Sequence, residues 1–382
     1  MLITSKKDGF KMNLNIVSLD IPYPPNYGGA IDIFFRIKAL AELNCKITLH
    51  CFYSDRQPAF SLEAYCEKVY YYPRKQKRIT RFLSLKPYLV ASRDSVALLS
   101  RLLENNYPIF FDGLQSTFLA DKPDLIKRKK YVRIHNLESQ YMKHLACSEK
   151  SIIMKMGLYL ESIKYRLFEK KIGCFDFVFP ISNPDKTFYA KYNKKIKTIP
   201  PFHGNKDVQS LIGTGKYILY HGNFNVSENI TAIRFLLDNV FNGLDFSIII
   251  AGMNASEKLS SFQNDKIKIV NNPNKHHMNL LIREAQINIL PTFQATGVKL
   301  KLINSLYIGR HCLVNPKMIE PTPNLEELCV ICDSPDHFIT KIREYMEKPF
   351  NREMAQKRQD ILSKILNNRV NAKLIFEEMK AY

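Results

Sequence analysis

The sequence lacks any long apolar run. A membrane-spanning helix needs about 18 consecutive apolar residues, whereas the longest apolar stretch, residues 246–253, has only the length of a buried strand. The first residues, Met1–Lys7, also lack the apolar core that a secretory signal requires. We therefore expect a cytoplasmic protein without a membrane-spanning helix.

The sequence also lacks the patterns of the common metal sites. It contains no Asp-x-Asp pair, the type of carboxylate arrangement that would hold a divalent cation against a diphosphate. Cys329 and Cys332 form a Cys-x-x-Cys pattern, but no further ligands lie nearby to complete a zinc site. The segment 328–332 has the composition of a β-strand, whereas a redox pair usually opens a helix. We predict structural cysteines and no metal.

Acidic residues are scarce relative to basic ones. The chain carries 56 Lys and Arg against 36 Asp and Glu, a formal net charge of +20, which indicates an anionic partner. The segment Lys68–Arg93 contains eight basic residues and no acidic one. Charge alone leaves three partners open: a nucleic acid, an anionic membrane surface or a phosphorylated small molecule. The basic residues match no helix-turn-helix, zinc-finger or RNA-binding pattern, so no nucleic acid is expected.

The sequence alternates β and α patterns in two successive series. The first series predicts a helix at 31–43 and strands at 13–19, 46–53, 107–112, 131–135 and 175–181. The second predicts strands at 217–220, 246–251, 267–270, 287–290 and 311–315. Such alternation is typical of parallel sheets, so the fold class is α/β with two Rossmann-like domains. Their ligand is expected in the crevice between the domains, near the carboxyl ends of the strands.

The domain boundaries follow from a change in composition after residue 195. Residues 196–214 combine two prolines with glycines and polar residues, which is typical of a linker. We predict an N-terminal tail at 1–12, a first domain at 13–195 and a second domain at 215–365. Residues 366–382 are predicted to form a C-terminal helix that returns to the first domain.

The segment Ile289–Asn304 carries most of the chemical information. After a strand, a loop of small residues turns at 295–297, and a helix then opens with Lys299 and Lys301. Unpaired backbone N–H groups at a helix start attract anions, and a glycine in the loop allows close backbone approach. Residues two apart do not share a helix face, so the lysines converge on a diphosphate only if the loop continues through Lys299. The alternative is a solvated helix start with surface lysines.

This segment resembles the donor-site loop of family 4 retaining glycosyltransferases, which have the GT-B architecture of two Rossmann-like domains facing each other across a cleft. Pro291, Gly297, Lys299 and Lys301 match the family variant Pro, Gly-Ser-Gly, Lys/Arg-Leu-Lys without a gap. The resemblance implies that the lysines and the loop amides bind the diphosphate of a nucleotide-sugar, such as a UDP- or GDP-sugar. Asn304 stands where the family usually has the Glu that binds the ribose, and we expect a weaker ribose ligand there.

Two further segments of the second domain resemble the nucleotide site of the family. Residues 220–229 look like its glycine loop, and residues 249–252 end a strand with a glycine, as its base pocket does. Many relatives have an Arg and a Lys in the glycine loop, and this chain has neither, so the lysines after Gly297 must supply more of the diphosphate binding. The predicted donor-binding residues are Gly222, Asn223, Gly252, Thr296, Gly297, Val298, Lys299, Lys301 and Asn304.

The first domain carries its own resemblance. Residues 133–139, Arg-Ile-His-Asn-Leu-Glu-Ser, look like the His-Asn-x-Glu segment whose His contacts the transferred sugar or the acceptor. The resemblance implies that His135 and Lys301 carry the reaction. Residues 22–29 look like the first loop of the family, in which a Gly-Gly pair, here Gly28 and Gly29, lies beside the donor and acceptor. The alternatives are a core histidine for His135 and a simple turn for the two glycines. The residues predicted to line the cleft or the acceptor site are Gly28, Gly29, Asn136 and Glu138.

The resemblance implies transfer of the sugar, with retention of configuration, to a glycan or lipid-linked acceptor in the synthesis of surface polysaccharide or lipopolysaccharide. Preorganised amides and lysines, and no metal, would stabilise the departing diphosphate. Because Lys68–Arg93 mixes cations with apolar residues, it is predicted to contact an anionic membrane, at the inner face of the cell membrane. The alternatives are a basic nucleic-acid-binding protein and a non-catalytic GT-B protein.

Overall fold

The computed structural model describes residues 12–75, 84–294, 297–322 and 324–381. It divides the chain into two compact units. Unit 1 extends to Gly204 and takes in the segment from Leu366 to the C-terminus, whereas unit 2 comprises Asn205–Ile365. The change of unit therefore falls inside the segment predicted as a linker, and the first nine residues of that segment belong to unit 1.

Unit 1 is built on a six-stranded parallel sheet with the strand order β3-β2-β1-β4-β5-β6. Its strands are β1 Met12–Ser18, β2 Cys45–Tyr53, β3 Lys68–Pro73, β4 Ile109–Asp112, β5 Lys130–Ile134 and β6 Phe177–Pro180. Its helices up to Gly204 are α1 Gly28–Glu42, α2 Tyr88–Ala91, α3 Val96–Leu103, α4 Glu138–Ser148, α5 Ile152–Phe168 and α6 Asn183–Tyr189. All residues of β4, β5 and β6 are buried, as expected for parallel strands covered on both faces.

Unit 2 contains a second six-stranded parallel sheet, with the order β12-β11-β10-β7-β8-β9. Its strands are β7 Ile218–Asn223, β8 Ile248–Met253, β9 Ile267–Asn271, β10 Ile287–Ile289, β11 His311–Val314 and β12 Val330–Ile331. Its helices are α7 Ser227–Asn239, α8 Ala255–Leu259, α9 Lys275–Glu284, α10 Leu300–Ile308, α11 Pro316–Ile319, α12 Pro335–Glu347 and α13 Arg352–Ile365.

Both sheets have the same topology. Counted within its own unit, each sheet has the order 3-2-1-4-5-6, which is the doubly wound Rossmann order. In such a sheet the chain leaves the first and fourth strands in opposite directions, and a crevice opens at their carboxyl ends. The expected ligand positions are therefore the end of β1 beside β4 in unit 1, and the end of β7 beside β10 in unit 2.

The α/β fold class predicted from the sequence is confirmed, with strand ends that differ by one or two residues for most strands. The sequence analysis missed β3, because its residues lie within the basic segment that was interpreted as a surface. β3 lies at the edge of its sheet and contains three consecutive tyrosines, of which Tyr72 is buried. Aromatic side chains suit a half-buried strand, so this composition was the available signal.

The last helix, α14, spans Asn368–Lys380 and lies in unit 1. Its apolar face joins the core that packs on α1, through Ile375, Phe376 and Met379, all of which are at most 3% exposed. The hydroxyl of Tyr131 donates a hydrogen bond to the carbonyl of Met379 at 2.9 Å. The C-terminal segment is therefore part of the hydrophobic core of the first unit.

Truncating Phe376 should destabilise unit 1. Phe376 is fully buried, and removing a buried Phe side chain costs about 3–5 kcal/mol. We expect Phe376→Ala to lower the unfolding midpoint in urea accordingly. Val370→Ala is the matched control, because Val370 lies on the same helix and is 47% exposed. Equal midpoints for the two variants would contradict the packing of α14 into the core.

Candidate functional site

In unit 2, two loops meet at the carboxyl ends of β7 and β10. The first loop leaves β7 at Asn223 and enters α7 at Ser227, and the second leaves β10 at Ile289 and enters α10 at Leu300. The two strands are hydrogen-bonded neighbours in the sheet. The glycine loop and the lysine segment, which the sequence analysis identified separately, therefore lie at the topological switch point of one sheet.

Two positions in this region require glycine. At one of them a side chain has no room, and at the other the backbone adopts a conformation that favours glycine. A Cβ atom on Gly252 would lie 1.7 Å from the carbonyl oxygen of Gly222, so the ends of β7 and β8 approach too closely for any side chain. Gly297 has a φ of 66°, in the left-handed region that favours glycine. The loop before α10 can therefore turn sharply at Gly297.

The loop continues through Lys299. This residue has an extended backbone conformation (φ −87°, ψ 98°), and α10 begins at the next residue. The first turn of α10 contains no acidic residue, so its N-terminal N–H groups and helix dipole keep their attraction for an anion. The side chains of the two lysines reach adjacent residues of α7, Lys299 at Glu228 and Lys301 at Asn229.

Lys301 is held in place by neutral groups. Its Nζ donates a hydrogen bond to Oδ1 of Asn229 at 2.9 Å and lies 5.0 Å from the centre of the Tyr220 ring. The Tyr220 hydroxyl in turn donates to the carbonyl of Asn229 at 3.0 Å. Burial lowers the pKa of Lys301 to about 8, and the nearby charge of Glu228 partly opposes this shift. A cation that is poorly solvated in this way gains from an incoming anion.

Lys299 forms an ion pair that the sequence analysis did not predict. Its Nζ lies 3.0 Å from Oε1 and 3.1 Å from Oε2 of Glu228, and both side chains are largely buried. The hydroxyl of Thr292 also donates to Glu228. Glu228 is the charged residue in segment 220–229, so an acid in an otherwise neutral loop was the signal for this partner.

The remaining predicted donor residues differ in their exposure and in their contacts. Gly222 packs so closely on Asn229 that an added Cβ would lie 2.9 Å from the Asn229 side chain. Asn223 is exposed, and its carbonyl accepts a hydrogen bond from the Asn229 side chain at 2.9 Å. Asn304 is half-buried on α10 and donates to Asn279 at 3.4 Å. Val298 is half-buried in the loop, and Thr296 lies outside the described residues.

In unit 1, a buried cluster of charges lies at the carboxyl ends of β4 and β5. Arg133 donates two hydrogen bonds to Asp32, at 2.8 and 3.1 Å, and another to the carbonyl of Ile199 at 2.7 Å. Arg36 donates to both oxygens of Asp112. Burial alone would raise the pKa of Asp32, but the charges of Arg133 and His135 lower it well below its usual range. The sequence analysis missed Asp32, Arg36 and Asp112, although the charges four residues apart on the apolar helix α1 were a signal.

His135 directly follows β5 and lies between the two carboxylates of this cluster. Its Nδ1 is 4.0 Å from Asp32 and its Nε2 is 3.8 Å from Asp112. The side chain is 12% exposed, and within the described part of the chain Nε2 has no hydrogen-bond partner. The imidazole thus lies between two carboxylates. Its Nε2 is itself buried from solvent, although its capacity to form a hydrogen bond is unused among the residues described.

The other predicted residues of unit 1 differ in exposure. Gly28 and Gly29 form the first two positions of α1, and Asn136 is half-buried beside His135. Glu138 is only 4% exposed, and burial raises its pKa to about 7. Its side chain therefore belongs to the interior of unit 1, close to Glu169 and Asp185, and does not line an open surface.

The structure also bears on the cysteines, on groups of metal-ligating side chains and on whether any helix could span a membrane. All eight cysteines are free, and burial raises the pKa of the Cys332 thiol to about 12. In the residues described, no group of three or more His, Cys, Asp or Glu side chains is placed to hold a metal ion. Across the same residues, no helix has both the length and the apolar character needed to span a membrane.

Solved structures of similar fold cover almost the whole chain. Sucrose-phosphate synthase from Thermosynechococcus elongatus has 14% identity and a TM-score of 0.70, over 97% of this chain and 98% of that one. HepE from Anabaena, in complex with UDP and glucose, has 10% identity and a TM-score of 0.66, over 97% and 100%. TarM has 10% identity and a TM-score of 0.65, over 97% and 99%. The fold is that of the GT-B glycosyltransferases, with two Rossmann-like domains.

The chain is also similar in sequence to a protein from Klebsiella pneumoniae described as an uncharacterized 44.6 kDa protein in the cps region. The two are 27% identical over 312 residues, which cover 76% of this chain and 79% of that protein. No protein-family model matches the sequence.

Replacing Asp32 should destabilise unit 1 in a pH-dependent way. Asp32→Asn leaves the buried Arg133 without its charge partner, which costs about 3–5 kcal/mol. Because the folded-state pKa of Asp32 is lowered, this contribution is present above the ordinary Asp pKa of about 4 and is lost as the pH falls below it. Urea unfolding at several pH values measures the difference. Glu42→Gln, an exposed change on the same helix, is the control, and equal stability of both variants at neutral pH would contradict the role of the pair.

Proposed function

We propose that this protein is a glycosyltransferase that uses a nucleotide-diphosphate-sugar, such as a UDP- or GDP-sugar, as its donor. The observation that carries the proposal is the position of Lys299 and Lys301, at the opening of α10 and at the switch point of a Rossmann sheet. A Rossmann fold binds nucleotide phosphates at this point. HepE, whose fold is similar, was solved with UDP and glucose, which supports the same ligand class here.

The donor site would act on the leaving group. Breaking the anomeric C–O bond builds negative charge on the diphosphate, and the N–H groups at the start of α10 together with Lys301 are arranged to stabilise it. Losing one such donor typically costs about 3–4 kcal/mol of transition-state stabilisation. We propose that transfer is metal-independent, because the sequence contains no Asp-x-Asp pair that could hold a divalent cation, and that it proceeds with retention, as the resemblance to family 4 implies.

The acceptor is proposed to be a glycan or a lipid-linked sugar in the synthesis of a surface polysaccharide. This proposal is supported by the similarity to a protein of a cps region. We propose that His135, whose buried Nε2 has no hydrogen-bond partner among the described residues, contacts the transferred sugar or the acceptor. We propose that the transferred sugar is a hexose and that the product is a polysaccharide or a lipopolysaccharide.

A non-catalytic GT-B protein is the second candidate, and one observation favours it. Glu228 places a carboxylate within 3.1 Å of Lys299, where it would repel a diphosphate. A protein that has the GT-B fold but binds nucleoside diphosphates weakly and never cleaves a nucleotide-sugar would fit this candidate. Measuring nucleotide release from UDP- and GDP-sugars, with and without glycan acceptors, separates the two functions.

Lys301 should control nucleotide affinity and its pH dependence. Losing a hydrogen bond to a charged group costs about 1.5–3 kcal/mol, or roughly tenfold to a hundredfold in Kd, so Lys301→Met should weaken UDP or GDP binding by that factor. In the wild type, affinity should fall as the pH rises above about 8, because Lys301 must then gain a proton to bind the anion. Lys301→Arg stays protonated and should lose this dependence.

The measurement is a calorimetric titration with UDP, GDP, ADP and CMP at several pH values. Lys266→Met is the matched control, because Lys266 is a well-exposed lysine of unit 2 whose ion pair lies with Asp245. If none of the four nucleotides binds the wild type, the donor site is assigned wrongly. If Lys301→Met binds the preferred nucleotide as tightly as the control does, the role of Lys301 is wrong.

Removing the charge of Glu228 should strengthen diphosphate binding. In Glu228→Gln, Lys299 no longer has a competing carboxylate, and we expect an affinity gain of about tenfold. Asp238→Asn on the same helix, where Asp238 is exposed, is the control. A large loss of affinity in Glu228→Gln would instead mean that this carboxylate contacts the nucleotide directly.

A further inference from the structure

One face of α5 exposes a continuous set of large apolar side chains. Successive helical residues advance by about 100°, so the members of this set fall within an arc of about 100° on the helix. Each is at least half exposed. They are Ile152, Ile153, Met156, Leu160, Ile163 and Leu167, with exposures of 74%, 83%, 68%, 51%, 59% and 59%.

The opposite face of the same helix provides its packing. Lys164, Tyr165 and Phe168 are buried against unit 1, and Ser162 donates a hydrogen bond to the carbonyl of Ser139 on α4 at 2.8 Å. An added Cβ on Gly157, in the middle of the helix, would meet no atom within 4 Å. The apolar arc is therefore not part of the core, and contiguous exposed apolar side chains of this kind mark interaction sites in soluble proteins.

The exposed charged side chains around the apolar arc are mostly cations, whereas the nearby carboxylates are buried or hydrogen-bonded. Glu161 accepts hydrogen bonds from Lys164 at 2.8 Å and from the backbone N–H of Tyr88 at 2.7 Å, and Glu138 and Glu169 are buried. Glu149, between the two helices, is half-buried and accepts a hydrogen bond from the backbone N–H of Ser151 at 2.9 Å. The carboxylates of α4, of α5 and of the turn between them are thus buried or hydrogen-bonded. The exposed cations on or next to these helices are Lys143, Lys150, Arg166 and Lys170.

From this combination we propose that the apolar face of α5 binds to an anionic lipid surface. An amphipathic helix with apolar residues on one face and cations beside it lies in the headgroup region, where apolar burial and attraction to anionic lipids add. A second copy of the chain fits less well. The spacing of residues 153, 156, 160, 163 and 167 suits a helical seam, but pairing two such faces would bring their flanking cations together.

A neighbouring segment supports the same surface. The hydrogen bond from Tyr88 to Glu161 attaches the segment 84–88 to α5, and in this segment Leu85 is 91% exposed. The sequence predicts membrane contact through Lys68–Arg93, but Arg93 is 3% exposed and donates to the carbonyls of Leu19 and Leu89. Residues 76–83 of that segment lie outside the described residues. We therefore place the proposed membrane contact at α5 and Leu85 and not along the whole of the basic segment.

The test is flotation of the full chain with vesicles of phosphatidylcholine alone, or of phosphatidylcholine mixed with phosphatidylglycerol. The wild type should float with the mixed vesicles, less at high salt, and poorly with phosphatidylcholine alone. The triple variant Ile153→Gln, Leu160→Gln, Ile163→Gln should lose about tenfold or more of this binding. The control variant Phe60→Gln, Ile126→Gln removes apolar side chains of unit 1 that are 85% and 73% exposed, and it should float like the wild type.

Three results would overturn the proposal. The first is a wild type that stays soluble with the mixed vesicles, and the second is a triple variant that floats as the wild type does. The third is a wild type that forms a dimer by light scattering which the triple variant lacks, since the face would then bind a second copy. Because the replaced residues are exposed, unchanged thermal unfolding of the variant checks that any loss of binding is local. No nucleotide is needed, so the test is independent of the proposed enzymatic function.

Discussion

The arrangement of unit 2 depends on cations that are held close together before any anion binds. Lys299 and Lys301 sit at the opening of α10, where the helix dipole adds to their positive charge. α7 supplies the compensation, because Glu228 pairs with Lys299 and the Asn229 side chain accepts from Lys301. The loop after β10 is thus tied to the helix after β7. These contacts hold the two lysines in place, and under the proposed function they would compete with a diphosphate for them.

In unit 1, the charged side chains at the switch point are also held by partners, but here each cation is paired with a carboxylate. Its switch-point region is held by two buried Arg–Asp pairs, Arg133 with Asp32 and Arg36 with Asp112. Breaking such a pair is costly because it leaves a buried charge uncompensated. These pairs fix the surroundings of His135, whose buried Nε2 has no hydrogen-bond partner among the described residues. The two units therefore share a topology but differ in the charges at their switch points. Unit 2 has two lysines beside one carboxylate, and unit 1 has two Arg–Asp pairs around an imidazole.

The sequence predicted the fold well because its signals were local. Apolar strands such as Ile218–Asn223 and the glycine and lysines before α10 are recognisable without tertiary contacts. The partners of these residues were not recognisable, since the pairing of Glu228 with Lys299 joins residues 71 positions apart. The apolar arc of α5 was missed for a related reason. Its helical pattern is visible in the sequence, but only the structure shows which apolar face is left exposed.

The central claim is that the lysines at the start of α10 hold a diphosphate. A crystal structure of the chain with the nucleoside diphosphate it binds best would test this most directly. We expect phosphate oxygens within hydrogen-bond distance of the Lys301 Nζ and of the N–H groups that open α10, with Lys299 turned from Glu228 toward the phosphate. A nucleotide bound elsewhere, with Lys299 still on Glu228 and Lys301 still on Asn229, would contradict it.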